Sequence, residues 1–188
     1  RKVSSLTKSA AALALGILKD KEAVPMLLEL MTKQFDDPVI GPYALLALGM
    51  IGDPVAIELL QKKWQEIDKK NINSTAYTNL AVALTLLGKR DDVVLPVLLK
   101  HAAKDSEEAL KVYAFHTLGI LGTRETAQIF VDAYNDETTT TEVRKSIVTG
   151  IGFLLDKNNV RLINKFTADS YFDIYMVIMD HILPIPVW

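Results

Sequence analysis

The sequence predicts an all-α chain, a right-handed α-solenoid of about five helix pairs closed by a C-terminal capping helix or tail. Three observations predict it. The phrase "LALGMIGDPVAIELL" at Leu46–Leu60 recurs in variant form along the 188 residues. Its anchor positions, Gly16, Gly49, Thr85, Gly119 and Gly152, stand 33, 36, 34 and 33 residues apart, and a fixed period of that size marks stacked helical repeats. Within each period apolar residues recur at helical spacing, and almost nothing alternates as a half-buried strand does.

The elements follow in order. The first unit, residues 4–34, opens with the polar-faced helix of "RKVSSLTKSAAALALG" and breaks at "KD", where Asp20 can cap a second helix. The second unit, residues 37–70, begins at Asp37-Pro38, a capping side chain before a proline at the first helical position. Pro42 then falls early in a first helix, where it should kink or restart it. Asp53 in "GDP" caps the second helix, whose apolar stripe runs Ile57, Leu60, Trp64, Ile67.

Ser74 caps the third unit, residues 74–104, and Asp91 and Asp92 stand at its inner break with a short insertion. The fourth unit, residues 105–136, and the fifth, residues 139–167, open on pairs with capping-box spacing, Asp105 with Glu108 and Thr139 with Glu142. The inner break of the fourth is Gly122-Thr123, and Asp156 caps the second helix of the fifth. All of this reads as one domain over residues 1–188.

Small residues cluster at one phase: Ala14, Ala47, Ala83 and Gly150, with Gly16, Gly49, Gly119 and Gly152. Glycine within a helix costs roughly 0.5–1 kcal/mol against alanine. Its repetition at one register implies a steric need, so a methyl group at Gly49 should push neighbouring helices apart.

The tail, residues 168–188, departs from the repeat. "DSYFDIYMVIMDHILPIPVW" gathers Tyr171, Phe172, Tyr175, Met176, Met179 and Trp188. It fits a capping helix with a docked strap, a self-association surface that makes a homodimer through residues 171–188, or a junction to more protein. The run "VIMDHIL" within it reads as helix or strand.

Composition removes several functions. The formal charge is −2, with 21 Lys and Arg against 23 Asp and Glu, so no global basic field concentrates nucleic acid. The absence of cysteine removes disulfides, thiolate nucleophiles and Cys-ligated metals. No run of about 18 uncharged apolar residues offers a membrane span. A Cys-free chain is stable in reducing and oxidising surroundings alike, so the compartment stays open, with a soluble, cytoplasmic location favoured. The chain begins with Arg1 and could be a processed piece that has lost a targeting signal.

The stretch "DDPVIGPYALLALGMIGDPVAIELL" resembles a HEAT-like repeat, close to the short variety named after phycobilisome lyases. The resemblance extends to about Thr167 and implies an armadillo-like solenoid. The arginine of the family pattern is matched only by Lys8, Lys111 and Arg144, with Gly41 and Tyr77 in the other units. Its second-helix proline is matched by Pro25 and, with a shift, by Pro96.

The resemblance raises three enzymatic or nucleic-acid functions. A deoxyhypusine-hydroxylase-type enzyme would hold iron with His-Glu pairs, yet the histidines stand in "KHAAK", "FHTLG" and "DHILP". A bilin or tetrapyrrole lyase would need an aromatic and acidic cradle, which no stretch marks out. A nucleic-acid groove would need a basic second-helix face. The best patch, "KKWQEIDKKN", mixes acids with its lysines and reads as a solvated helix end. No nucleophile elbow, phosphate loop or zinc helix occurs.

The expectation is therefore a non-enzymatic scaffold without cofactor or metal that binds another protein. In such solenoids the second helices line an extended concave surface. Its candidate residues are Glu29, Lys33, Glu58, Gln61, Lys62, Trp64, Gln65, Lys100, His101, Gln128, Asp132, Arg161 and Lys165. Trp64 is either a core anchor or a partly exposed hot spot for the partner.

Overall fold

The computed structural model describes residues 3–35, 37–67 and 74–155. These residues are helical: α1 Ser5–Ile17, α2 Val24–Gln34, α3 Ile40–Ile51, α4 Ile57–Gln65, α5 Ser74–Leu86, α6 Leu95–Ala102, α7 Glu108–Leu121, α8 Ala127–Asn135 and α9 Thr141–Leu155. The chain divides into two compact units, Arg1–Ala103 and Lys104–Trp188. Arg161, Lys165, the Asp156 cap and the whole tail with its "VIMDHIL" run lie outside the described residues.

In the first compact unit the first helices of successive repeats stack, α1 on α3 and α3 on α5. The repeated small residues decide how closely. A β-carbon on Gly16 would lie 2.7 Å from Ala47 Cα, and one on Gly49 would lie 2.6 Å from Ala83 Cα. Both distances are shorter than van der Waals contact, so glycine is required there. Around these contacts Ala44, Leu45, Leu48, Leu80, Ala81 and Leu84 are fully buried.

Local signals place the turns. Asp20 and Asp53 each accept a bond at 3.0 Å, from the Glu22 and Val55 amides, opening a short 3-10 turn before α2 and α4. Just ahead of each aspartate the chain turns left-handed, at Lys19 (φ 54°) and Gly52 (φ 75°). Asp37 accepts from the Val39 and Ile40 amides at 2.8 Å and starts α3. Pro42 falls in the first turn of that helix. It is the third residue of α3, where a missing N–H loses no intrahelical partner, and its carbonyl accepts a bond from Asn79 Nδ2 at 3.1 Å.

The insertion of the third repeat is absorbed as a π-helical turn, Arg90–Val94. Neither Asp91 nor Asp92, at that inner break, caps the turn; Asp92 pairs with Lys89 at 3.2 Å.

In the second compact unit α7 packs on α9, and α8 lies against α9. The same close approach recurs, since a β-carbon on Gly119 would fall 2.4 Å from Gly150 Cα. Phe115 and Phe130 meet edge-on beside it, with ring centroids 5.4 Å apart. Two caps differ from expectation. The Asp105–Glu108 box does not form, because α7 starts at Glu108 after a residue with no side-chain cap bond. Before α9 the cap is Thr140, whose Oγ accepts from the Val143 amide at 3.4 Å, one residue beyond Thr139.

Candidate binding surface on the second helices

Each described second helix buries one stripe and turns another outward. The buried anchors are Leu27 on α2, Leu60 on α4, Leu98 on α6 and Phe130 on α8, all at 0% exposure. Two residues further along each helix, about 200° around the axis, stand Glu29, Lys62, Lys100 and Asp132, all exposed. Equivalent positions of the repeat thus share the anchor and differ in the outward charge.

Most of the predicted surface residues take that outward stripe. Glu29, Lys33, Glu58, Lys62, Gln65, Lys100, Gln128 and Asp132 are exposed, and Gln61 is half-buried. Glu29 and Lys33 form an ion pair one turn apart, and the lysine holds the Glu29 carboxyl below its usual range by hydrogen bond and charge. On α8, Gln128 Nε2 donates to Asp132 Oδ1 at 2.7 Å.

Two predicted residues are not on this surface. Trp64 is wholly buried: its ring tilts against Tyr77 with centroids 5.1 Å apart, and Nε1 donates to the Val93 carbonyl at 3.2 Å. It packs the second helix onto the next repeat, because an indole amid polar neighbours still falls in the Ile57, Leu60, Trp64 stripe. His101 is 1% exposed, and its Nδ1 lies 2.8 Å from Tyr77 Oη. A tyrosine 24 residues earlier draws it inward, replacing the water that a buried imidazole gives up.

Sequence reasoning missed the apolar part of the surface. Met26, Leu99, Val131 and Tyr134 are exposed on the same helices. Met26, Leu99 and Val131 fall outside the buried stripes of their helices, whereas Tyr134, four residues beyond Phe130, continues the stripe and is still exposed. Lys63, by contrast, folds its ammonium over the Phe35 ring at 5.0 Å, tying α4 to the residue that ends α2.

His116 is half-buried, and its ring meets Phe153 edge-on at 5.3 Å. Among the described residues no three His, Asp or Glu side chains are grouped to hold a metal ion. No helix among them is long and apolar enough to cross a membrane.

The family described as HEAT repeats matches residues 2–81. Deoxyhypusine hydroxylases from Bos taurus and Homo sapiens are each 37% identical over 59 residues, which cover 31% of this chain and 20% of the hydroxylase. The match thus spans one fifth of the length of these curated relatives. No solved structure matches. The stacked first helices at one glycine register in the first compact unit thus coincide with the family match, and residues 2–81 are a stretch of HEAT repeats.

Proposed function

We propose that the chain is a non-enzymatic protein-binding scaffold whose second helices present the partner-facing surface. The observation that carries this reading is the outward position two residues beyond each buried anchor. It changes from Glu29 to Lys62 to Lys100 within the first compact unit while the anchor beneath stays leucine. Charge variation over a constant core is what discrimination between partners requires. The exposed Met26 and Leu99 beside these charges supply apolar area for the centre of an interface.

Lys62 and Lys100 suit an acidic segment of the partner. The hydroxylase likeness does not favour catalysis here, since His101 and His116 are engaged with Tyr77 and Phe153 and stand on different helices. A bilin-lyase reading predicts a bound pigment seen by absorbance, and a nucleic-acid reading predicts retention on DNA that falls steeply with salt.

The test is affinity capture with the full chain, comparing it with a Lys62→Glu/Lys100→Glu double variant. Proteins recovered by the parent should drop about tenfold or more with the variant, the size expected when complementary charges become like charges. Equal recovery by both overturns the assignment of this surface.

A further inference from the structure

The first-helix stack carries two complementary faces, and each is used inside the molecule. One is the glycine face: Ser9, Ala12 and Gly16 on α1, and their equivalents Pro42, Leu45 and Gly49 on α3, are buried. The other carries the small residue that seats on that glycine. On α3 it comprises Ile40, Ala44, Ala47 and Ile51, and on α5 it includes Ala76, Leu80 and Ala83, again all buried. The second compact unit repeats the fit, with Gly119 of α7 against Gly150 of α9, flanked by buried Val143 and Ile147.

On α1 and α9, the first and last described first helices in chain order, one face of each kind is exposed. On α1 the equivalents of Ile40, Ala44, Ala47 and Ile51 are Thr7, Ala11, Ala14 and Leu18, all exposed, Leu18 at 75%. On α9 the equivalents of Ser9, Ala12 and Gly16 are Lys145, Val148 and Gly152. They too are exposed, Val148 at 58%, and no atom lies within 4 Å of where a Gly152 β-carbon would be. Leu155 extends this face at 62% exposure.

The open halves are therefore of opposite kind and matching register. Gly152 can receive Ala14 as Gly16 receives Ala47, with Val148 and Leu155 brought against Ala11 and Leu18. A face that fits its counterpart on another copy, and not itself, makes a heterologous contact.

We propose that copies of this chain associate head to tail, α9 of one copy packing on α1 of the next with Gly152 seated on Ala14. The interface lies on first helices, apart from the partner surface of the second helices.

Sedimentation velocity on the full chain tests this with Ala14→Arg and Gly152→Arg, both at exposed positions, with helicity checked by circular dichroism. The parent should show an average mass that rises with concentration. Each variant alone should stay at the mass of one chain. An equimolar mixture should give a two-chain species and nothing larger, because the intact α9 of Ala14→Arg still meets the intact α1 of Gly152→Arg.

A parent that stays at one chain's mass overturns the proposal, as it would if residues 156–188 of the same chain covered α9. Association that persists in both variants also overturns it, the result expected of pairing through residues 171–188. Neither substitution touches Lys62 or Lys100, so loss of one interface leaves the other readable.

Discussion

At Gly49 and Gly152 the same residue type occupies the same register with opposite surroundings. Alanine at Gly49 brings its methyl 2.6 Å from a backbone carbon of α5, which has no side-chain freedom to yield. Gly49→Ala should lower stability by about 1–3 kcal/mol, the usual range for overpacking. Gly152→Ala meets nothing within 4 Å and should raise stability by roughly 0.5–1 kcal/mol through helix propensity alone. Urea midpoints measure both, and a common sign for the two would refute the packing account. These glycines were legible in the sequence because a size limit shows directly in residue type. The burial of His101 was not, because it depends on Tyr77, which the chain brings alongside only by folding α5 against the third repeat's second segment.

Among the elements, the turn between α8 and α9 is held by a charged side chain. Asp136 accepts from the Thr138 hydroxyl at 2.7 Å and the Thr138 amide at 2.9 Å, and Lys104 Nζ lies 2.9 Å from its other oxygen. These bonds, the hydroxyl first, hold its carboxyl well below the ordinary value of 3.8. A carboxyl lowered in the folded state stabilises the fold above its unfolded pKa and loses that contribution as pH falls through the folded one. Asp136→Asn should therefore weaken the protein near neutrality, with the deficit shrinking as the solution is acidified below pH 3.8. Thermal melts across that range check the sign. Caps of this kind were partly legible: Asp20 and Asp53 cap as their spacing implies, while Asp37 accepts two amides ahead of α3, which begins at Ile40 and leaves Pro38 before it. The Asp105–Glu108 pair had the right letters, but α7 begins at Glu108 and leaves Asp105 outside. Spacing specifies a cap only when the helix starts where the motif assumes.

Over the whole molecule, stability is distributed by neighbours within each compact unit, as stacked repeats require. In the first, α3 has a first helix on either side, α1 and α5, whereas α1 exposes Ala11, Ala14 and Leu18 along one flank. Amide hydrogen exchange should be slowest in α3 and faster in α1. Equal protection of the two would mean that stacking does not set local stability. The helical period and the repeat were readable from residue spacing, and so was the outward stripe of Glu29, Lys62, Lys100 and Asp132. The exposed Met26 and Leu99 were not, since a hydrophobic letter alone does not say which side of a helix finds a neighbour.

The glycine contact also bears on how such a chain can change over generations. First helices touch backbone to backbone, so almost any enlargement at Gly16 or Gly49 is rejected whatever the new side chain is. Second helices meet their neighbours through longer side chains, as Lys63 does Phe35 and Trp64 does Val93. Inherited variation is thus filtered out of one layer and admitted in the other. A lineage of such repeats can diverge in what it recognises while its spacing stays fixed.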